Sequence, residues 1–370
     1  MAITLELQRK GYAVHVVDKE RNSALEALPG VDCEQVNLLS TDFTFLEHYP
    51  DTDTLVITAG FGRIAPFEDL LDQEIQNNFQ VNSIAVLRIL HHFFPRMKQH
   101  EPFQCAVMGS IAGLICSPLF ATYGATKAAV CNGLESLNIE LEKAGTDNRI
   151  LNVSPGSIKG TKFNGGDNDI RLTEAMAREI ILRMEARQTL WIPQYEEVFR
   201  GVLERYYDDP RKFGLESFDY KMASGRTSSK PQLKIGYLSG TFDLFHIGHL
   251  NLLRNAKQHC DYLVVGVHKD ASHKGKKAFI PFEERMDIVR SIKYVDKVIP
   301  SEKEDCDVYL KGVVKYDYLF VGSDYKGSER FNRYEQIFAG TDVKIVYFPY
   351  TTGTSSTQLR DALEESTTLE

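Results

Sequence analysis

The stretch Gly240-Thr-Phe-Asp-Leu-Phe-His-Ile-Gly-His249 decides the fold of the C-terminal part of the chain. An apolar run at 234–238 precedes it and a helical pattern follows, so a strand ends, a glycine turns the chain and a helix begins. His246 and His249 are three residues apart, which places both imidazoles on one face of the first helical turn. Backbone N–H groups there favour anions, and Gly248 leaves room for a phosphate against the backbone. The motif predicts a site for a transferring phosphoryl or nucleotidyl group.

The histidine pair has two other interpretations. One is a pair of surface histidines on an ordinary helix, which the ten-residue context disfavours. The other is a zinc site, but zinc sites use at least three protein ligands, and no third ligand lies nearby in the sequence. A site for a transferring phosphoryl or nucleotidyl group is therefore the leading hypothesis for this segment.

Strands alternate with helices on both sides of the motif. Short β-rich runs lie at 12–18, 55–58, 104–108, 149–153, 234–238, 261–267, 318–321 and 343–348. Helical patterns, with apolar residues three and four positions apart, occupy 1–10, 74–98 and 121–143. This alternation predicts an α/β fold with two Rossmann-like, doubly wound parallel-sheet domains in tandem.

A polar segment with few apolar residues divides the chain. Residues 221–231 read Lys-Met-Ala-Ser-Gly-Arg-Thr-Ser-Ser-Lys-Pro, a composition typical of a linker. The length of 370 residues also suggests two domains at roughly 150 residues each. We therefore predict a first domain at 1–225, a linker at 226–233 and a second domain at 234–370.

Composition and charge exclude several classes of protein. Hydrophobic residues make up 43% and charged residues 25% of the chain, which is ordinary for a folded protein. The net charge of −8 gives no support for a nucleic-acid partner. Residues 1–10 lack the apolar stretch of a signal peptide, and no run is long enough to span a membrane. We predict a cytoplasmic protein with no membrane partner and with six reduced cysteines.

Residues 234–365 resemble the HxGH nucleotidyltransferase superfamily and, within it, the glycerol-3-phosphate cytidylyltransferases. Besides the histidine motif, the resemblance rests on Arg285 within Glu284-Arg-Met-Asp-Ile-Val-Arg and on Tyr294-Val-Asp-Lys-Val-Ile-Pro. It also includes Val321-Gly-Ser-Asp-Tyr-Lys326 and the run Gly353-Thr-Ser-Ser-Thr357. Hydroxyl groups and N–H groups at the start of a helix, as in that last run, can hold the phosphates of a nucleotide.

The resemblance implies CTP-dependent cytidylyl transfer to a phosphomonoester, with Mg²⁺ accompanying CTP. It implies that His246 and His249 stabilise the transition state at the α-phosphate. The nucleotide-binding residues that it implies are Gly240, Thr241, Phe242, Lys277, Arg285, Thr354, Ser355, Ser356 and Thr357. One departure leaves the acceptor open: the family usually has an arginine and a glutamate before the last run, whereas this chain has Pro349-Tyr-Thr-Thr-Gly353.

In the first domain, the segment Ala121-Thr-Tyr-Gly-Ala-Thr-Lys127 carries the central pattern. Tyr123 and Lys127 are four residues apart and share a helix face. The nearby ammonium favours the phenolate, so we expect it to lower the pKa of Tyr123 toward the working range. Tyr123 would then serve as an acid/base for a carbonyl–alcohol pair.

With the neighbouring motifs in their order, residues 12–165 resemble the short-chain dehydrogenase/reductase family. Those motifs are Thr58-Ala-Gly60, Val81-Asn82, the strand ending at Ser110, and Pro155-Gly156. The resemblance implies that Ser110 orients a substrate carbonyl, Tyr123 transfers a proton, Lys127 also holds the nicotinamide ribose, and Asn82 anchors a proton relay. The cofactor-binding residues are Asp18, Ala59, Gly60, Lys127, Pro155 and Gly156. Asp18 favours NAD over NADP, because its charge repels a 2′-phosphate.

This family begins with a strand and a glycine-rich turn, whereas residues 1–12 look like the helix that follows them. We therefore expect the first domain to lack its first strand and glycine-rich loop. One explanation is a natural protein that starts further upstream, in which case this chain binds its cofactor poorly. The other is a vestigial reductase domain.

Together the motifs predict a bifunctional enzyme, a homodimer or homotetramer, that makes a CDP-alditol for cell-surface polysaccharide. The second domain would transfer cytidylate to a small alditol phosphate, and the first would reduce its keto-phosphate precursor with NAD or NADP. One alternative is a cytidylyltransferase with a catalytically inactive reductase-like domain for docking or dimerisation. Another is a nucleotide-sensing regulator with two degenerate sites.

Overall fold

The computed structural model describes residues 1–39, 42–161, 163, 169–225, 227, 233–269, 278–301, 304–349 and 358–359. The chain forms two compact units, Met1–Pro231 and Gln232–Glu370. Most of the predicted linker lies outside the described residues, and the domain limits predicted above remain predictions.

The first unit alternates strands and helices from its first residues onward. Its strands are β1 (Val14–Asp18), β2 (Val31–Gln35), β3 (Thr54–Ile57), β4 (Gln104–Met108), β5 (Arg149–Val153) and β6 (Leu190–Trp191). Its helices are α1 (Ala2–Arg9), α2 (Ser23–Glu26), α3 (Asp72–Phe79), α4 (Ala85–Met97), α5 (Ala121–Lys143), α6 (Ile170–Glu185), α7 (Arg200–Asp208) and α8 (Pro210–Ala223). All strand pairs are parallel.

The parallel strands of this unit form two sheets, and residues of both sheets pack in the same apolar clusters. One sheet is the pair β1-β2 and the other has the order β3-β4-β5-β6. Val17 of β1 packs in the same apolar cluster as Ile57 of β3, and on the opposite face Val14 packs in a cluster with Val56. In the described part of the chain no strand hydrogen-bonds β1 to β3, so each of these strands keeps one unpaired edge.

The long helix predicted at 74–98 is interrupted. A π-helical turn, Gln80–Ile84, separates α3 from α4 and carries the fully buried Asn82. Single π-turns inside helices occur often at functional sites. Side-chain periodicity alone did not indicate this turn, because apolar spacing continues through it.

A buried ion pair fixes the segment between β3 and α3. Arg63 Nε lies 2.9 Å from Glu74 Oε1, and Arg63 Nη2 lies 2.8 Å from Glu74 Oε2. The two side chains are only 4% and 5% exposed. Glu74 also accepts the N–H of Leu71 at 3.0 Å, so the carboxylate holds the start of α3 to the preceding loop.

We expect Glu74→Ala to lower the free energy of unfolding of the first unit by about 3–5 kcal/mol, because the buried Arg63 charge would lose its bidentate bond to the Glu74 carboxylate. The matched control is Glu26→Ala, which breaks the exposed Arg21–Glu26 pair and should cost less than about 1 kcal/mol. Urea unfolding followed by tryptophan fluorescence measures this unit alone, because Trp191 is the single tryptophan of the chain. Equal losses in the two variants would contradict the expectation.

The second unit is a five-stranded parallel sheet with the order β11-β10-β7-β8-β9. Its strands are β7 (Ile235–Gly240), β8 (Tyr262–His268), β9 (Lys297–Ser301), β10 (Tyr318–Gly322) and β11 (Lys344–Phe348). Its helices are α9 (Ile247–His259), α10 (Phe282–Arg290), α11 (Asp305–Leu310) and α12 (Glu329–Phe338). Separate apolar clusters cover the two faces of the sheet. The strand order reverses between β7 and β10, where α/β sheets of this kind bind ligands at the carboxyl ends of the strands.

The predicted fold class is confirmed: both units are α/β with parallel sheets, in a Rossmann-like arrangement in tandem. All six cysteines lie in the described part of the chain and are free thiols. Among the described residues, no helix is both long and apolar enough to cross a lipid bilayer.

Candidate active sites

The loop between β7 and α9 carries the histidine motif in an unusual backbone conformation. Phe242 has φ +53° and Leu244 has φ +49°, in the left-handed region that bulky residues rarely adopt. Phe242 is nevertheless 2% exposed, so core packing over-determines its conformation. Such strain is typical of functional loops whose surroundings hold them in place.

Hydrogen bonds fix both histidines of the motif. His246 is the N-cap of α9, and its Nδ1 accepts the N–H of Gly248 at 3.1 Å. His249 Nδ1 accepts the N–H of His246 at 3.4 Å. Because Nδ1 is the acceptor in both rings, a neutral imidazole at either position carries its proton on Nε2. The pair is therefore organised as two Nε2–H donors, with ring centroids 4.0 Å apart.

The surroundings of the pair are apolar on one side. The His249 ring lies 5.3 Å from the Phe242 ring and 5.4 Å from the Phe245 ring, measured between centroids. Burial lowers the pKa of His246 below its ordinary value. The lowered pKa favours the neutral imidazole, whose Nε2–H group is a hydrogen-bond donor.

Arg285 and Asp243 hold this loop to the segments around it. Arg285 is 1% exposed, and its Nη1 donates to the carbonyl oxygens of Thr241 and His268. The Asp243 carboxylate accepts the N–H of Phe279 at 3.0 Å and the N–H of Ile280 at 2.9 Å. Asp243 was not predicted as a site residue, because its partners lie 36 and 37 positions away in the sequence.

The hydroxyl group of Thr241 indicates where a polar ligand atom could bind. Its Oγ1 is buried and has no hydrogen-bond partner within the part of the chain that the structure describes. Buried hydroxyl groups are normally satisfied, so a polar ligand atom at this oxygen would complete the site. Gly240 ends β7 directly before it. The predicted binding residues Lys277, Thr354, Ser355, Ser356 and Thr357 lie outside the described residues.

The predicted reductase residues converge at the carboxyl ends of β3 and β4. Ser110 follows β4, and its hydroxyl group lies close enough to the Tyr123 phenol to affect the pKa of that phenol. Lys127 is 2% exposed, and its Nζ donates to Met108 O at 2.6 Å. Asn82 Oδ1 accepts the N–H of Phe61 at 3.0 Å, and Asn82 Nδ2 lies 3.1 Å from Thr126 Oγ1.

The expectation that Lys127 lowers the pKa of Tyr123 is wrong for this structure. Burial raises the pKa of Tyr123 to about 12, although the bond with Ser110 opposes that rise. The same burial lowers the pKa of Lys127 to about 8. The Lys127 amino group lies 5.8 Å from the centroid of the Tyr123 ring, and it donates a hydrogen bond to the carbonyl oxygen of Met108. Desolvation of the phenol therefore outweighs any effect of the ammonium.

The residues predicted to hold a nicotinamide cofactor lie at the same end of the strands. Asp18 ends β1 with an exposed side chain, Ala59 and Gly60 follow β3, and Pro155 and Gly156 follow β5. A Cβ at Gly60 would lie 3.2 Å from Lys127 Nζ, so glycine keeps the backbone open beside this amine. The exposed carboxylate and the open backbone fit a ribose with free hydroxyl groups.

Another glycine supports the tyrosine. A Cβ at Gly62 would lie 2.7 Å from Tyr123 Cδ2 and 2.8 Å from Phe120 Cε2. The rings of Phe120 and Tyr123 stack with centroids 4.2 Å apart. This packing holds the phenol in place, and nothing in the local sequence pattern indicated Gly62.

The geometry thus defines a nucleotide-dependent transferase unit and a dehydrogenase-type unit in one chain. Comparisons with known proteins agree. A cytidylyltransferase-like family model matches residues 237–362, and a short chain dehydrogenase model matches residues 1–171. The chain belongs to the cytidylyltransferase-like family through its second unit, and its first unit is similar to short-chain dehydrogenases.

Relatives of the second unit include two kinds of protein. The glycerol-3-phosphate cytidylyltransferase of Bacillus subtilis (strain 168) is 37% identical over 129 residues, which is 34% of this chain and 92% of that protein. The bifunctional protein HldE of Photorhabdus laumondii is 38% identical over 130 residues, which is 34% of this chain and 27% of that protein.

Among solved structures, a short-chain dehydrogenase from Streptomyces avermitilis is 20% identical, with a TM-score of 0.48, and the match covers 60% of this chain and 93% of that one.

Proposed function

We propose that the second unit transfers cytidylate from CTP to a small alditol phosphate, giving a CDP-alditol and pyrophosphate. The observation that carries the proposal is the pair of oriented Nε2–H donors at the N-terminus of α9. Anions bind at helix N-termini, and preorganised donors are most effective where negative charge develops in the transition state. The relatives named as glycerol-3-phosphate cytidylyltransferases support the choice of nucleotide and acceptor class.

In this reaction a phosphate oxygen of the acceptor attacks the α-phosphorus of CTP in line. The new P–O bond forms as the bond to the β-phosphate oxygen breaks, and pyrophosphate leaves with that electron pair. His246 and His249 donate to the α-phosphate oxygens, and Thr241 Oγ1 binds a phosphate oxygen. Arg285 and Asp243 act by holding the loop rather than by contacting the nucleotide. Mg²⁺ would supply charge neutralisation on the triphosphate.

For the first unit we propose reduction of a keto-phosphate to the alditol phosphate that the second unit consumes. Tyr123 donates its proton to the substrate carbonyl oxygen, Ser110 orients that oxygen, and Lys127 and Asn82 hold the site around it. NAD or NADP would supply the hydride, and the exposed Asp18 favours NAD. This activity would make the chain a multifunctional cytoplasmic enzyme of cell-surface polysaccharide synthesis, acting as a dimer or tetramer.

Two observations favour a second candidate for the first unit. Its sheet is divided between β1 and β3, and the pKa of Tyr123 is raised to about 12. Both features suit a reductase-like domain that serves docking or dimerisation rather than catalysis. The transferase proposal for the second unit is the same in either case.

The test is incubation of the full chain with CTP, Mg²⁺ and a panel of alditol phosphates, with pyrophosphate release as the measured quantity. We expect release with at least one acceptor and far less with ATP in place of CTP. Release that does not depend on an acceptor, or none with any member of the panel, would contradict the transferase proposal.

A further inference from the structure

Helix α8 of the first unit turns its apolar side to solvent. Leu215, Phe218 and Met222 are 57%, 41% and 49% exposed. They occupy positions i, i+3 and i+7 of one helix, so they share a face, and we call these three residues the α8 stripe. The structure describes α7 and α8 in full, and no residue of either helix is buried.

The contacts of α8 with the rest of its unit come from a different face. Lys221 Nζ donates to Ser117 Oγ at 2.7 Å and to Pro118 O at 2.9 Å. A Cβ at Gly214 would lie 3.4 Å from Cys116 Sγ. This loop therefore meets a glycine and a lysine of α8, whereas an amphipathic helix of a globular protein normally packs its apolar face inward.

Helix α7 packs against α8 without covering the stripe. The ring centroids of Tyr206 and Phe213 are 5.7 Å apart, and Arg205 Nη1 lies 3.7 Å from Glu216 Oε2. By the 3.6-residue period of a helix, Phe213 and Glu216 lie on the side of α8 opposite the stripe. Because short helices gain most of their stability from packing an apolar face, burial of the stripe would stabilise α8.

Two charges flank the stripe in a symmetrical pattern. Arg211 lies four positions before Leu215 and Asp219 lies four positions after it, so the three residues follow one row along the helix. Both charged side chains are exposed, and neither forms an ion pair within the part of the chain that the structure describes. The row therefore carries a positive charge at one end and a negative charge at the other.

This pattern is complementary to itself when one helix is reversed. If two copies of α8 lie antiparallel across a two-fold axis at Leu215, Arg211 of each copy faces Asp219 of the other. The same arrangement places Lys212 of each copy beside the Phe218 ring of the other, where a cation–π contact can form. A parallel pair would instead bring like charges together at both ends.

We propose that the α8 stripe binds a second copy of this chain, through an antiparallel pair of α8 helices related by a two-fold axis at Leu215. Burial of the stripe supplies the free energy of association, and the two Arg211–Asp219 pairs select the direction and register of the helices. The inference assigns a contact surface to the dimer or tetramer proposed above. It depends on neither of the proposed activities.

The experiment measures the mass of the full chain by sedimentation equilibrium over a range of concentrations. We expect the wild type to associate in even multiples of the 41.9 kDa chain. Leu215→Glu brings two carboxylates together at the two-fold axis, so the dissociation constant of this contact should rise at least about 100-fold. The mass at a given concentration should then fall by half.

The matched control is Leu172→Glu, which makes the same change at a leucine of α6 that is 58% exposed. We expect its mass to equal that of the wild type. Equal masses of Leu215→Glu and the wild type would overturn the inference, and so would a wild type that remains a single chain at every concentration. A dimer or tetramer that persists in Leu215→Glu would show that the copies meet at another surface.

A charge exchange tests the register. Arg211→Asp alone should raise the dissociation constant about tenfold, because acidic side chains would then face each other twice. Arg211→Asp combined with Asp219→Arg restores opposite charges at both ends and should return the constant to within about threefold of the wild type. Association that is as weak in the double variant as in Arg211→Asp would overturn the antiparallel arrangement. Pyrophosphate release by the same samples tests the proposed function separately.

Discussion

His246→Asn is expected to lower kcat for pyrophosphate release by about 10²–10³-fold, because the transition state loses one preorganised donor. Asparagine is among the best N-cap residues, so it can accept the N–H of Gly248 in place of His246 Nδ1. The start of α9 should therefore keep its stability while the Nε2–H donor is lost. The substitution separates the capping role of His246 from its role in the reaction.

Rates at saturating CTP and acceptor, together with thermal melting of each chain, measure this effect. His259→Asn is the matched control, because it makes the same change on an exposed residue at the other end of the same helix. We expect its kcat to equal that of the wild type. If His246→Asn loses no more activity than the control, the donor role of His246 is wrong. A large fall in melting temperature would show that the capping role had not been preserved.

Tyr123→Phe is expected to abolish reduction of the keto-phosphate, with a fall of at least about 10²–10⁴-fold, the range that a positioned general acid contributes. The ring stacks on Phe120 and lies against Gly62, and phenylalanine preserves both contacts. Oxidation of NADH by the full chain in the presence of ketose phosphates measures the rate. The transferase rate of the same sample shows that the second unit is intact.

Tyr207→Phe is the control for this experiment, since Tyr207 is 71% exposed on α7. Equal reduction rates in the wild type and in Tyr123→Phe would remove Tyr123 from the reaction. Absence of reduction in every chain, with transferase activity retained, would instead favour the docking or dimerisation role for the first unit.

Local patterns predicted most of the strands. The runs at 104–108 and 149–153 coincide with β4 and β5, whose interior residues are buried and, apart from Asn152, apolar. Three strands were not assigned: β2, β6 and β9. β2 carries acidic residues at alternate positions, β6 has only two residues, and β9 contains Pro300, a residue that argues against a strand. All three are edge strands of their sheets, where local composition constrains pairing least.

From residue spacing alone, the transferase site was predictable only where its chemistry is local, whereas the grouping of Asn82, Ser110 and Tyr123 was implied by the family resemblance. His246 and His249 lie in one helical turn, and the sequence motif identified both. The hydrogen bonds between Asp243 and Phe279 and between Arg285 and Thr241 join residues 36 and 44 positions apart. The local sequence around each residue therefore does not indicate these bonds. The pKa of Tyr123 likewise depends on its burial in the folded chain, and the spacing of Tyr123 and Lys127 in the sequence does not predict that burial.

The division of the first sheet has a consequence for ligand affinity. A two-stranded ribbon is only marginally stable by itself, and regions with few paired backbone groups open at low free energy. The ribbon formed by β1 and β2 carries Asp18 at its end, whereas Tyr123 and Lys127 lie on α5, beside the four-stranded sheet. If Asp18 holds a ribose as proposed, the nucleotide half of a dinucleotide would rest on the sheet of this unit that has fewer paired backbone groups. Part of the binding free energy of the dinucleotide would then stabilise the fold of this segment. Protection of the β1 amides from hydrogen exchange would therefore rise as the dinucleotide saturates its site.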